Sequence, residues 1–141
     1  MDFSYRTFDL EAYSETESLH DENNEESGFS WKLDIDPLLL MTPGTIYLSV
    51  KSEDKPIGYA IFYLHTHPHF QKLVACQDVM YIHPEYRKGS IGIKFIKYIE
   101  ESMKGLGAEG IFQTSSAKKD LSKLFGRLGY EPVETVYFKE I

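Results

Sequence analysis

Cysteine occurs once in this chain, at Cys76, so no disulfide forms within it and no Cys-x-x-Cys pair exists to hold a metal or run redox chemistry. Long apolar runs are also missing. The longest, such as Leu38 to Met41, fall far short of a bilayer's width. The opening MDFSYRTFDL has no basic stretch ahead of an apolar one, so no signal peptide is expected. Positive charge is scarce: 15 Lys and Arg stand against 22 Asp and Glu, a formal net charge of -7. That balance excludes a general nucleic-acid binder, which needs a basic surface to displace counterions. Two common phosphate loops are absent as well. Nothing matches Gly-x-x-x-x-Gly-Lys-Ser/Thr, and no Gly-x-Gly-x-x-Gly precedes an acidic residue after the next strand. A soluble, cytoplasmic protein with no nucleic-acid or membrane partner is the expectation.

What is there suffices for a core. With 42% hydrophobic and 14% aromatic residues in 141, the chain reads as a single domain, 1–141. The most informative stretch is Asp78 to Met103. Val79, Met80, Tyr81 and Ile82 are strand formers and stop at Pro84, which cannot donate to a ladder. Arg87-Lys88-Gly89-Ser90-Ile91-Gly92 follows, two cations and two glycines where a helix begins. Apolar Ile91, Phe95, Ile96, Ile99 and Met103 then form one stripe, opposite Lys94, Lys97, Glu100, Glu101 and Lys104. A helix N-terminus with glycines and cations suits a phosphorylated ligand. The same residues also make an ordinary strand-to-helix turn with solvated cations, and residue types alone do not choose between the two.

Residues 3–9 alternate as a first strand, and spacing predicts a helix to about residue 20, followed by a mobile loop, DENNEESG. From Glu11 to Glu26 the chain carries acids and no Lys or Arg. This is either a solvated face or an acidic rim that attracts an amine. Asp36-Pro37 starts a short helix, and Thr45–Val50 and Ile57–Leu64 form a hairpin about Glu53-Asp54-Lys55-Pro56. His65-Thr66-His67-Pro68-His69 holds three histidines, but Pro68 breaks the strand and no nearby cysteine completes a zinc set. No metal is expected; the favoured role is a loop beside the substrate cleft, with His67 and His69 as substrate contacts. Leu73 to Ile82 is the central strand, with Asp78, Met80 and Ile82 sharing one face unless a bulge intervenes. Asp78 is out of place on packing grounds, as either a hydrogen-bonded structural carboxylate or a catalytic one. Ala108–Thr114 reads as a short strand, Ala117–Leu128 as a helix and Tyr130–Ile141 as a last strand.

Arg87, Ser90 and Gly92, behind Tyr81-Ile82-His83-Pro84-Glu85-Tyr86, match the Arg/Gln-x-x-Gly/Ala-x-Gly/Ala signature of the GNAT superfamily of N-acetyltransferases. Ser90 replaces the usual glycine or alanine; it is small and suited to cap the helix. Lys55-Pro56-Ile57-Gly58-Tyr59-Ala60 is similar to the third strand of that family, and Leu124 to Pro132 to its C-terminal motif. The resemblance is strong over residues 45–141 and weaker before. The phrases His67 to His69, Gln77 to Val79 and Tyr130 to Glu134 also resemble short GNAT proteins of bacteriophages.

The resemblance implies an α/β (α+β) fold: a mixed, mostly antiparallel sheet flanked by helices, its central strands splayed to admit acetyl-CoA. Tyr81, Ile82 and His83 would meet the pantetheine arm like an added strand, and Lys88, Gly89, Ser90, Ile91 and Gly92 would cradle the pyrophosphate with Arg87. Ser115 is placed with these cofactor-binding residues. The activity implied is acetyl transfer to a primary amine by direct attack in a ternary complex, with Asp78 as general base and a strand N–H polarising the thioester. One departure stands out. The tyrosine that often protonates the departing thiolate is here Phe125, which leaves Tyr130, water, or departure as thiolate. The amine acceptor is a small molecule or a protein, and a homodimer is compatible with the family. From another class comes a catalytically weak GNAT-fold module that binds and inhibits a host or partner protein.

Overall fold

β-branched and aromatic residues dominate the middle of the chain, and both faces of the strands they form are covered. The computed structural model describes residues 1–31 and 34–141. Strands β1 (Asp2–Thr7), β2 (Thr45–Ser52), β3 (Lys55–Thr66), β4 (Leu73–Ile82) and β5 (Gly110–Phe112) form one sheet in the order β1-β2-β3-β4-β5. The first three pairings are antiparallel and β4–β5 is parallel. The β2–β3 hairpin turns on two residues, Glu53 and Asp54, with φ of 49° and 64°, so it closes tightly although neither is glycine.

Helix α3 (Ile91–Gly105) covers one face, burying Phe95, Ile96, Ile99 and Met103 as the stripe predicts. Ile46, Leu48, Val50, Ala60, Phe62 and Ala75 meet it from the sheet. Helix α1 (Leu10–Ser27) covers the other face, where Phe8, Ala12 and Leu19 pack on Tyr47, Tyr59, Ile61 and Tyr81. Gly58 is required where these layers meet: a Cβ there would lie 2.8 Å from Val50 Cγ1 and 2.9 Å from the Tyr81 carbonyl oxygen. Helix α2 (Pro37–Leu40) starts as expected, with the Asp36 side chain accepting from Leu38 N.

Four expectations change. Helix α1 does not stop near residue 20; DENNEES is helical, and Gly28, at φ 61°, ends it. Its acids explain this. Glu15, Glu22 and Glu26 recur on one stripe, where Glu15 accepts from Tyr47 and Lys51, Glu22 from Tyr81, and Glu26 from Arg87 and Lys119. These tertiary bonds override the loop-like composition, so the acidic segment is not simply a solvated face. The helix expected over 117–128 begins only at α4 (Ser122–Arg127), because Asp120 turns the chain there by accepting from Ser122 N at 2.9 Å. The strand expected from Ala108 is reduced to β5. The last strand does not form among the described residues: Tyr130–Ile141 has no ladder there, Pro132 lacks a donor, and Val136 and Tyr137 lie exposed. Phe138 instead packs its ring 4.8 Å from those of Phe29 and Trp31.

Candidate active site

The site begins where β4 and β5 part. Their parallel pairing runs from Val74↔Gly110 to Cys76↔Phe112 and ends. Just beyond, the strands are linked by a side chain: Gln77 Oε1 accepts from Thr114 N at 3.3 Å. From Gln77 to Ile82 the outer edge of β4 faces a cleft of about 500 Å³. Asp78, Tyr81, Ile82, Arg87, Gly92, Ser115 and Lys119 are among its lining residues. An unpaired strand edge beside a cavity offers N–H and C=O groups to an extended ligand.

Asp78 enters this cleft because of a bulge. Ile61 pairs with Val79 and Phe62 with Gln77, leaving Asp78 as an extra residue on β4. The bulge resets the alternation. Met80 and Ile82 pack on the α3 side, whereas Asp78 lies toward Tyr63 on the α1 side, so the three do not share a face. Asp78 is exposed to the cleft, yet the cleft walls strip water from its carboxyl and raise its pKa. The neighbouring Tyr63 hydroxyl and the charge of nearby His20 pull the other way. Burial and Asp78 together push the Tyr63 hydroxyl up to about 12, so it stays a donor at neutral pH. His20 is buried, its Nδ1 3.0 Å from Tyr59 Oη.

At the other end of β4, Arg87 is held in place before any ligand arrives. Its Nε donates to the Ile82 carbonyl at 2.6 Å, and its guanidinium lies 5.2 Å from the centre of the Tyr81 ring. Gly89, at φ 88°, makes the turn into α3. Ser90 is the N-cap residue, but its side chain makes no capping bond, contrary to expectation. The first N–H groups of α3 therefore gain nothing from it. A Cβ on Gly92 would meet no atom nearer than Ile82 Cδ1 at 4.0 Å, so packing does not require glycine there. Its missing side chain leaves room in the cleft instead.

The remaining candidates lie outside the cleft lining. His83 accepts from Glu85 N, and Lys88, Gly89, Ser90 and Ile91 form the turn behind Arg87. His67 stacks on Phe70 at 4.5 Å, and its Nδ1 accepts from His69 N, both residues belonging to the β3–β4 turn. No group of three metal-ligating side chains occurs among the described residues. Tyr130 donates its hydroxyl to Glu100 at 2.6 Å; burial first, and this bond second, raise its pKa. Phe125, buried, packs against it at 5.2 Å. Sequence reasoning missed Lys119 and Tyr63, and it gave Glu26 and Gln77 no part in the cofactor site. Lys119 lies in a segment read as a plain helix, Glu26 in one read as a mobile loop, and Tyr63 fell in a strand whose register no motif marks.

The profile of the acetyltransferase (GNAT) family matches residues 6–130, and the chain belongs to that family. Solved structures agree in fold. A ribosomal-protein-alanine N-acetyltransferase from Brucella melitensis superposes with a TM-score of 0.79 at 15% identity, covering 100% of this chain and 99% of that one. An aminoglycoside acetyltransferase from an uncultured soil metagenomic sample, in complex with sisomicin, gives 0.75 at 19% identity, covering 99% and 96%. A Trypanosoma brucei acetyltransferase gives 0.72 at 15% identity, covering 99% and 100%. None of these three is described as a bacteriophage protein, so they lend no support to that narrower resemblance. No curated protein matches the chain.

Proposed function

We propose that this protein transfers the acetyl group of acetyl-CoA to a primary amine, which attacks directly in a ternary complex. The observation that carries the reading is one cleft that joins an open strand edge, a pre-aimed arginine and a carboxyl with a raised pKa. The residues fit the cofactor: Arg87 already binds an anion there, the Glu26 carboxylate, and Gly92 leaves the space a phosphate needs. Acetyl-CoA, when bound, supplies an activated thioester. Tyr81 and Ile82 offer their backbone edge to its arm, and Arg87 with the N-terminus of α3 takes its phosphates.

Asp78 accepts the proton as the amine attacks, directly or through one water, and Tyr63 keeps the carboxyl oriented. A base with a raised pKa holds that proton better near neutral pH than an ordinary aspartate does. Cys76 is no rival nucleophile, since burial pushes its thiol up and away from thiolate. With Phe125 unable to donate and the Tyr130 hydroxyl bonded to Glu100, the sulfur leaves as thiolate or takes its proton from water. The acceptor is an amine on a small molecule or a protein; the aminoglycoside acetyltransferase of similar fold makes the small-molecule class the first to screen. Replacing Asp78 tests this. Asp78→Asn should lower turnover by about a hundredfold or more with acetyl-CoA affinity unchanged. Unaltered turnover would remove Asp78 as the base.

A further inference from the structure

Glu26 stands at an unfavourable place for a carboxylate. It occupies the last turn of α1, where the helix dipole presents its negative end, beside Glu25 and with no base in that turn. Its compensation comes from outside the helix. Arg87 grips it with both terminal nitrogens, at 2.8 and 2.6 Å, and Lys119 Nζ donates to the same carboxylate. These cations belong to different walls of the cleft: Arg87 to the turn after β4, Lys119 to the segment between β5 and α4. Both are partly withdrawn from water and converge on one anion between them.

We propose that Lys119 and Arg87 form a two-cation clamp for a phosphate of acetyl-CoA, and that Glu26 fills this clamp as a built-in competitor until the cofactor displaces it. The inference rests on the acetyl-CoA reading above and adds Lys119, which lies outside the signature loop. A diphosphate outbids a carboxylate because it brings more charge and more acceptor oxygens to the same donors. The competitor is easily displaced, since partly exposed ion pairs are individually weak. On entry of the phosphate, Glu26 loses both partners at a helix end that disfavours it, so the last turn of α1 swings clear. Loading the site thus loosens the element that bounds it.

The test is calorimetric titration of the full chain with acetyl-CoA, S-acetylpantetheine (thioester and arm without phosphate) and inorganic pyrophosphate. Glu26→Gln should tighten acetyl-CoA and pyrophosphate by about three- to tenfold, the reach of two weak ion pairs, and leave S-acetylpantetheine unchanged. Adding Lys119→Gln to Glu26→Gln should weaken both phosphorylated probes again, and S-acetylpantetheine not at all. The double variant separates a lost clamp from a disturbed fold, because a disturbed fold would weaken all three probes. Wild-type binding of acetyl-CoA with no gain in Glu26→Gln overturns the inference and leaves the cofactor reading standing. Failure of acetyl-CoA to bind either form, with pyrophosphate held more tightly by Glu26→Gln, overturns the cofactor reading and leaves the clamp. If neither form binds either phosphorylated probe, both fall.

Discussion

Asp78 owes its place in the cleft to a single inserted residue. Without the bulge that pairs Phe62 with Gln77, alternation would turn this carboxyl to the α3 side with Met80 and Ile82, away from Tyr63. Its raised pKa has two readable consequences. The acid limb of turnover should contain an ionisation above the ordinary aspartate value of about 3.9, and Asp78→Asn should abolish that limb. Stability moves in the opposite sense. Between the ordinary pKa and the raised one, the unfolded chain binds fewer protons than the native chain, so stability falls as pH rises through that window. The loss persists at neutral pH. Asp78→Asn cannot ionise, so thermal melts at pH 7 should show it more stable than the wild type, with the gain vanishing below the ordinary aspartate pKa. A variant less stable at pH 7 would mean that the carboxylate is structural.

At the scale of elements, legibility followed local pattern. The α3 stripe, the β2–β3 hairpin and the span of β4 were readable because periodicity of 3.6 or 2 and turn residues marked them. The end of α1 was not, because Asp21 to Ser27 favours a loop until Glu22 and Glu26 find partners far along the chain. The missing last strand is the converse case. Its composition is right, but a strand needs a neighbour, and β5 offers only three residues. The candidate site divides likewise. Arg87, Gly92 and Asp78 were visible through motif and incongruity, whereas Lys119 and Tyr63 carry no local mark. Helix α1 does begin on a readable signal, Asp9, whose side chain accepts from Ala12 N at 2.8 Å. Asp9→Ala should therefore cost about 1 kcal/mol in denaturant unfolding. On the other face, Ile99→Ala should cost about 2–5 kcal/mol, since Ile99 is fully enclosed. A smaller loss for Ile99 than for Asp9 would contradict the assigned core.

For the molecule as a whole, one sheet is both core and open edge. Pairing β4 along its length would bury more backbone, but it would erase the cleft; the parallel contact with β5 stops at Cys76 and leaves the rest open. An open edge of this kind gains stability when filled. Acetyl-CoA at a hundred times its dissociation constant should add about 2.7 kcal/mol to unfolding, a rise of several degrees in Tm. Whether this cleft takes acetyl-CoA is read by calorimetric titration of the wild-type chain beside Gly92→Glu. The wild type should bind one acetyl-CoA per chain. Gly92→Glu should bind none, because its side chain would bring bulk and negative charge into the phosphate position. No binding by the wild type, or equal binding by both, would contradict an acetyl-CoA site here.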